Sequence, residues 1–203
     1  MAPAVADDTR TTTRLLQGLF DPQGREAWLV FDRRYRPIVW GVARRMGLSE
    51  ADASDVAQEA ITEFLSLYRE HRYDREKGRL RSWLAGITRR VALNFRRRAA
   101  AHAPERGVSA IESEPSPEEV DRLWDQERES ELLRQAMEEL KKTRTSDRSI
   151  EAFELVAIRR VPAATVARQL GITAQDVYVA KARVAERLRE ILARLHRVYE
   201  DDL

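Results

Sequence analysis

The sequence contains no cysteine, only 8 glycines and 7 prolines in 203 residues, and no long apolar run. The missing cysteine excludes disulfides, cysteine–zinc sites and thiol catalysis together. So few glycines and prolines argue against a turn-rich sheet protein, while 43 % hydrophobic and 34 % charged residues favour helices around a packed core. No stretch approaches the roughly 18 apolar residues needed to cross a bilayer. Ala2 to Thr13 is polar and lacks the apolar segment of a signal peptide. A cytoplasmic protein without membrane insertion is expected. Histidine is scarce as well: His71, His102 and His196 each read as surface residues rather than catalysts. Asp52, Asp55, Glu59 and Glu63 could suggest a metal site on a helix, but no Glu-x-x-His accompanies them. No catalytic residue, metal or cofactor is expected.

What is present is charge, unevenly placed. The net charge is only +2, yet seven arginines and no acid lie between Arg79 and Arg98. Nine acids against Arg122 and Arg128 follow from Glu112 to Glu131, and Tyr178 to Arg197 is basic again. Two basic segments separated by an acidic one suggest two nucleic-acid-facing surfaces and a tether that avoids nucleic acid. Solvated helix faces are the usual reading of a charge run, and the complete absence of acids from Arg79 to Arg98 weighs against it.

The apolar residues repeat with helical period. Thr9 to Leu19 is weakly helical, and Asp21-Pro22 breaks it. Trp28, Phe31, Tyr35, Ile38, Val39, Val42 and Met46 form a stripe that Pro37 should kink. After Gly47, Ser49 can cap a helix with Asp52 as a capping-box variant; its buried face is Val56, Ala57, Ala60, Ile61, Phe64, Leu65 and Tyr68. Its other face crowds Asp52, Asp55, Glu59 and Glu63, a repulsion of a few tenths of a kcal/mol per pair that suits a basic partner. Arg69 to Gly78 reads as a polar loop, and Leu80, Trp83, Leu84, Ile87, Val91 and Phe95 mark a third helix. Periodicity fades from about Ala99 to Trp124, a linker composition whose end could become helical from Pro117. Beyond it come helices around Leu132–Leu140 and Ile150–Ala157, a short one from Pro162, and a long one from Ala174 to about Val198.

The expected architecture is all-α: two small helical domains, an N-terminal three-helix-type bundle and a C-terminal helix-turn-helix domain, joined by a flexible acidic linker. The expected boundaries are 1–24 for an N-terminal extension with no assigned function, 25–99, 100–125 for the linker, and 126–203. Pro162–Arg189 carries the helix-turn-helix pattern: Val166, Ala167 and Leu170 point inward, Gly171 makes the turn, and Val177 and Val184 pack the second helix. Lys181 or Gln175 could read base edges and Arg183, Arg187 and Arg189 hold phosphates. In Leu80–Arg98 the spacing of Trp83 and Phe95 favours the core, whereas Tyr73 and His71 in the loop are freer to meet unstacked bases.

In this order the segments resemble the extracytoplasmic-function (ECF) group of sigma-70-type sigma factors. The resemblance rests on Asp52-x-x-Asp55-Val56-x-Gln58-Glu59, Phe64-Leu65, Gly78-Arg79-Leu80-Arg81-Ser82-Trp83-Leu84, Ile87, Arg96-Arg97-Arg98 and Val166-Ala167-x-x-Leu170-Gly171-Ile172-Thr173. It covers about Ala27 to Leu195. It implies that 25–99 is sigma region 2, docking on core RNA polymerase through Asp52, Asp55, Gln58, Glu59 and Phe64. The minus-ten element would be captured and melted by His71, Tyr73, Asp74, Arg81, Arg89, Arg90, Arg96 and Arg97. It implies that 126–203 is region 4, reading the minus-thirty-five element through Thr173, Gln175, Asp176, Tyr178, Lys181, Arg183 and Arg187. The partners it implies are core polymerase and promoter DNA, duplex upstream and single-stranded at the minus-ten element; members of this group are also commonly held by an anti-sigma protein. Two positions depart from the family pattern: Thr165 replaces a usual Glu and Ala180 a frequent Arg, with Lys181 as the candidate to act one position later. A helix-turn-helix regulator acting without polymerase, or a helical adaptor without a DNA role, are the alternative readings.

Overall fold

A computed structural model describes residues 12–21, 25–74, 76, 78–102, 114–143, 145 and 147–199. Every regular element among them is a helix, in agreement with the all-α expectation. None is long and apolar enough to cross a membrane. The chain divides into two units, one of residues 1–131 with 198–203 and one of residues 132–197.

The first unit starts with α1 (Thr12–Leu19), whose Leu15 and Leu19 are fully buried. Gly18 allows its close approach to α2 (Arg25–Arg45), since a Cβ there would sit 2.8 Å from that of Ala27. Pro37 lies inside α2 without ending it, and Val30, Phe31, Tyr35, Ile38, Val39 and Val42 face inward. Gly47, at φ 87°, turns the chain into α3 (Glu50–Arg69). Ser49 caps α3 as expected: Asp52 N–H donates to Ser49 Oγ at 3.1 Å and Ser49 Oγ donates to the Asp52 carboxylate at 2.7 Å. α4 (Leu80–His102) buries Leu80, Leu84, Ile87, Val91 and Ala92 against α2 and α3. The buried hydroxyl of Thr88 donates to the Leu84 carbonyl at 2.8 Å, so it leaves no unmatched polar group inside.

Three differences from the sequence reading stand out. The bundle is larger than three helices, because α1 supplies core leucines from what reads as an extension. The residues expected as a linker from 100 to 125 are not all linker. α4 continues to His102, α5 (Pro117–Lys141) begins at Pro117, and Val120 and Trp124 are each 1 % exposed. Residues 103–113 lie outside the described ones. The two compact units divide after Glu131, with Trp124 in the first, while the sequence reading starts its second domain at 126. A charged surface with two deeply placed apolar residues a turn apart has little overall periodicity, which is why the segment reads as linker.

The second unit has two apolar clusters. Ala136 and Leu140 of α5, Ile150 of α6 (Asp147–Phe153) and Val184, Leu188 and Ile191 of α8 (Ala174–Tyr199) form one. Ala152, Val166 and Ala167 of α7 (Ala163–Leu170), Val177 and Ala180 form the other. A π-helical turn, Glu154–Ile158, follows α6 and closes with Val161 N–H donating to the Leu155 carbonyl at 2.9 Å. Arg160 takes φ 56° there, a left-handed conformation that costs an L side chain roughly 1–2 kcal/mol. Arg160 is exposed, so nothing is lost from packing when its side chain is removed. Arg160→Gly is expected to stabilise the chain by about 1 kcal/mol, after the extra entropy of an unfolded glycine is subtracted. Denaturant unfolding of the two proteins measures it.

Candidate nucleic-acid and partner interface

An aromatic chain runs outward from the first core. Phe31 stacks on Phe64 at 4.7 Å, Phe64 meets the edge of Trp83 at 5.1 Å, and Trp83 stacks on Tyr73 at 5.1 Å. The sequence favours Trp83 as core and Tyr73 as loop. They are one stack, half-buried at both members, with Phe64 fully buried behind them. Phe64 therefore offers no surface to a docking partner and supports the loop instead. A cleft of about 300 Å³ opens beside the stack, lined by Arg72, Tyr73, Asp74, Gly78, Arg79, Ser82 and Trp83. Aromatic walls, a carboxylate, a hydroxyl and two guanidiniums suit an unstacked base with its phosphates.

His71 is exposed and takes φ 56°, and its ring stacks on Phe20 at 4.9 Å. Phe20 also lies 4.6 Å from Tyr68, and Arg69 Nε donates to the Leu19 carbonyl at 3.1 Å. The end of α1 thus braces the loop. The only hint of this in the sequence is the cluster Leu15, Leu16, Leu19 and Phe20 in an otherwise polar stretch.

On α3, Asp55, Gln58 and Glu59 are exposed, and Asp52 is half-buried and engaged by its cap. The crowded carboxylates have more relief than their own helix suggests. Arg90 of α4 pairs with Glu63, and Arg98 reaches Glu59 at 3.3 Å while its guanidinium lies 5.8 Å from the Phe95 ring centre. Asp55 makes no such pair with a described residue.

The α4 arginines expected to face DNA are mostly occupied. Arg81 pairs with Asp125, Arg89 Nε donates to the Pro115 carbonyl at 2.7 Å, and Arg97 meets Glu114 at 2.8 Å. Arg96 is half-buried and lines a cavity of about 450 Å³ with Arg45, Pro115, Glu119, Arg122 and Leu123 among others.

In the second unit Gly171 ends α7 at φ 63°, and the N–H of Ile172 donates to the Ala167 carbonyl at 3.0 Å. A glycine meets that left-handed turn without strain. Thr173 and Asp176 form a reciprocal cap: Thr173 N–H donates to the Asp176 carboxylate at 3.0 Å, and Asp176 N–H to Thr173 Oγ1 at 3.1 Å. The Thr173 hydroxyl and amide hold the Asp176 carboxyl below its ordinary range. Both residues thus serve the start of α8. Gln175, Tyr178, Lys181 and Arg183 project outward, Tyr178 with 55 % of its surface exposed. Arg187 is exposed and pairs with Glu190 at 2.6 Å. Ala180 is 7 % exposed and packs with Val177, so it lies on the inner face of α8.

Residues 31–102 match the family model of Sigma-70 region 2. No curated protein matches the chain.

Burial pushes the Tyr68 phenol up to about 12, with Tyr73 adding to the rise. The folded chain therefore holds this proton more tightly than the unfolded one. The stability it contributes is full below about pH 10 and is lost as pH rises through about 12. Between about pH 9 and pH 11 the wild type should lose more unfolding free energy than Tyr68→Phe, as read by urea titrations at each pH.

Proposed function

Since residues 31–102 match Sigma-70 region 2, we propose that the chain is a sigma-70-family transcription initiation factor of the ECF type, one that directs core RNA polymerase to promoters and catalyses nothing itself. The observation that carries this reading is the aromatic cleft at Tyr73 and Trp83, set beside an arginine-rich helix inside the matched domain. A flipped base of the non-template minus-ten strand would enter it, stacking on Tyr73 and Trp83 with Arg72 and Arg79 at its phosphates. Extrusion costs a few kcal/mol, which stacking and phosphate neutralisation offset. Asp55, Gln58 and Glu59 form the exposed acidic patch through which α3 would dock on a basic surface of polymerase. The second unit, residues 132–197, would read the minus-thirty-five element as a duplex. Its Gln175, Tyr178, Lys181 and Arg183 project from the first turns of α8, where a recognition helix enters the major groove. The protein would work in the cytoplasm, where polymerase is.

A run-off transcription assay with purified core polymerase and a genomic promoter library tests the reading: initiation at defined start sites is expected only when the chain is added. Duplex binding without polymerase-dependent initiation would instead make it a regulator. The docking face has its own test in Asp55→Arg with Glu59→Arg. Polymerase binding should weaken roughly a hundredfold or more, with the helical circular dichroism unchanged. Unchanged affinity would remove these residues from the interface.

A further inference from the structure

The arginines that would meet promoter DNA already hold another set of oxygens. Glu114 bonds Arg97, the Pro115 carbonyl accepts from Arg89, and Asp125 pairs with Arg81. These oxygens come from one short stretch at the start of α5, and their partners span Arg81 to Arg97 along α4. Carboxylate and carbonyl oxygens satisfy guanidinium donors as phosphate oxygens do. Arg97 holds the Glu114 carboxyl below its ordinary range by its hydrogen bond, so the contact is between full charges at neutral pH.

The stretch is held in place by residues other than its acids. Val120 and Trp124 are each 1 % exposed, and Ser116 and Glu119 cap α5 reciprocally, at 2.7 Å and 3.2 Å. On the α2 side, Glu127 meets Arg45 at 2.8 Å and lies over Gly41, where a Cβ would come within 2.1 Å of its carboxylate. The α5 start is therefore anchored independently of the contacts to α4. The contact at Glu114 is the one most open to solvent: Arg97 and Glu114 retain 65 % and 48 % of their side-chain surface, whereas Arg81 beside Asp125 retains 20 %. Exposed pairs of this kind are weak and exchange readily. A firmly seated helix thus carries a loosely held Glu114 and a more sheltered Asp125 over a basic face.

We propose that Glu114, Pro115 and Asp125 form an intramolecular competitor that occupies the α4 arginines in the free chain and yields them to single-stranded DNA. The inference rests on the reading of α4 as the DNA-facing helix and adds a restraint on that site. Displacement needs only side chains and the 114–116 backbone to move, while Val120 and Trp124 stay buried. The free protein then binds single strands weakly, and a strand presented at high local concentration, as on polymerase, competes successfully.

The test is the affinity of the full-length chain for a labelled single-stranded oligothymidylate, by fluorescence anisotropy without polymerase. Glu114→Gln with Asp125→Asn should tighten binding roughly threefold to tenfold at low salt, with the gain shrinking as salt rises. The control, Glu138→Gln with Glu151→Gln, makes the same change in net charge on exposed residues of the second unit and should alter affinity little. No gain in the first variant, or an equal gain in the control, would overturn the competitor. Failure of the sigma reading is seen elsewhere, as absence of run-off transcripts with wild-type chain and core polymerase. The affinity comparison involves no polymerase and is decided by itself.

Discussion

Helix α4 has to bury an apolar face while carrying seven nearby arginines and no acid of its own, and its neighbours are arranged around that burden. Arginine is seldom fully buried and tolerates desolvation only with partners. On one side α3 offers Glu63 and Glu59 to Arg90 and Arg98. On another the start of α5 offers Asp125, Glu114 and the Pro115 carbonyl to Arg81, Arg97 and Arg89. The pairs of Arg90, Arg97 and Arg98 are exposed enough that each contributes little to stability by itself, while Arg81 is more sheltered. The stability of the bundle comes from the apolar faces beneath, and the ion pairs decide which charges are available at the surface.

That division explains how far the sequence could be read. Helix spans, the Ser49 cap, the Gly171 turn and the buried faces of α3 and α4 follow from period and local chemistry, because each depends on residues a few positions apart. The α3 carboxylates appear short of basic neighbours because their partners lie 27 and 39 residues away on another helix. Trp124 reads as linker because two buried positions make no stripe. Phe64 matches a family motif near docking residues, yet its place under Trp83 is a matter of packing that no spacing rule supplies. Phe20 against His71 is likewise invisible until α1 is placed.

The second unit applies the same chemistry at short range. Thr173 and Asp176 are used to start α8, which leaves the next turn to present Tyr178 and Lys181. Ala180 illustrates how alignment by motif can mislead about surfaces. Its neighbours Val179 and Lys181 are exposed, and one step of 100° along the helix turns the intervening residue into the core.

The seating of α1 and the start of α5 bears on what counts as a transferable module. The matched stretch, 31–102, is shorter than the first unit. A polypeptide trimmed to it would lose Leu15, Leu19, Val120 and Trp124, all of them buried in the intact chain. The apolar surface uncovered would make such a fragment prone to self-association, and Tyr68 and His71 would lose the ring of Phe20. Recombination or gene fusion could therefore carry this part intact only with its flanks, and changes in those flanks would be felt in the loop between α3 and α4.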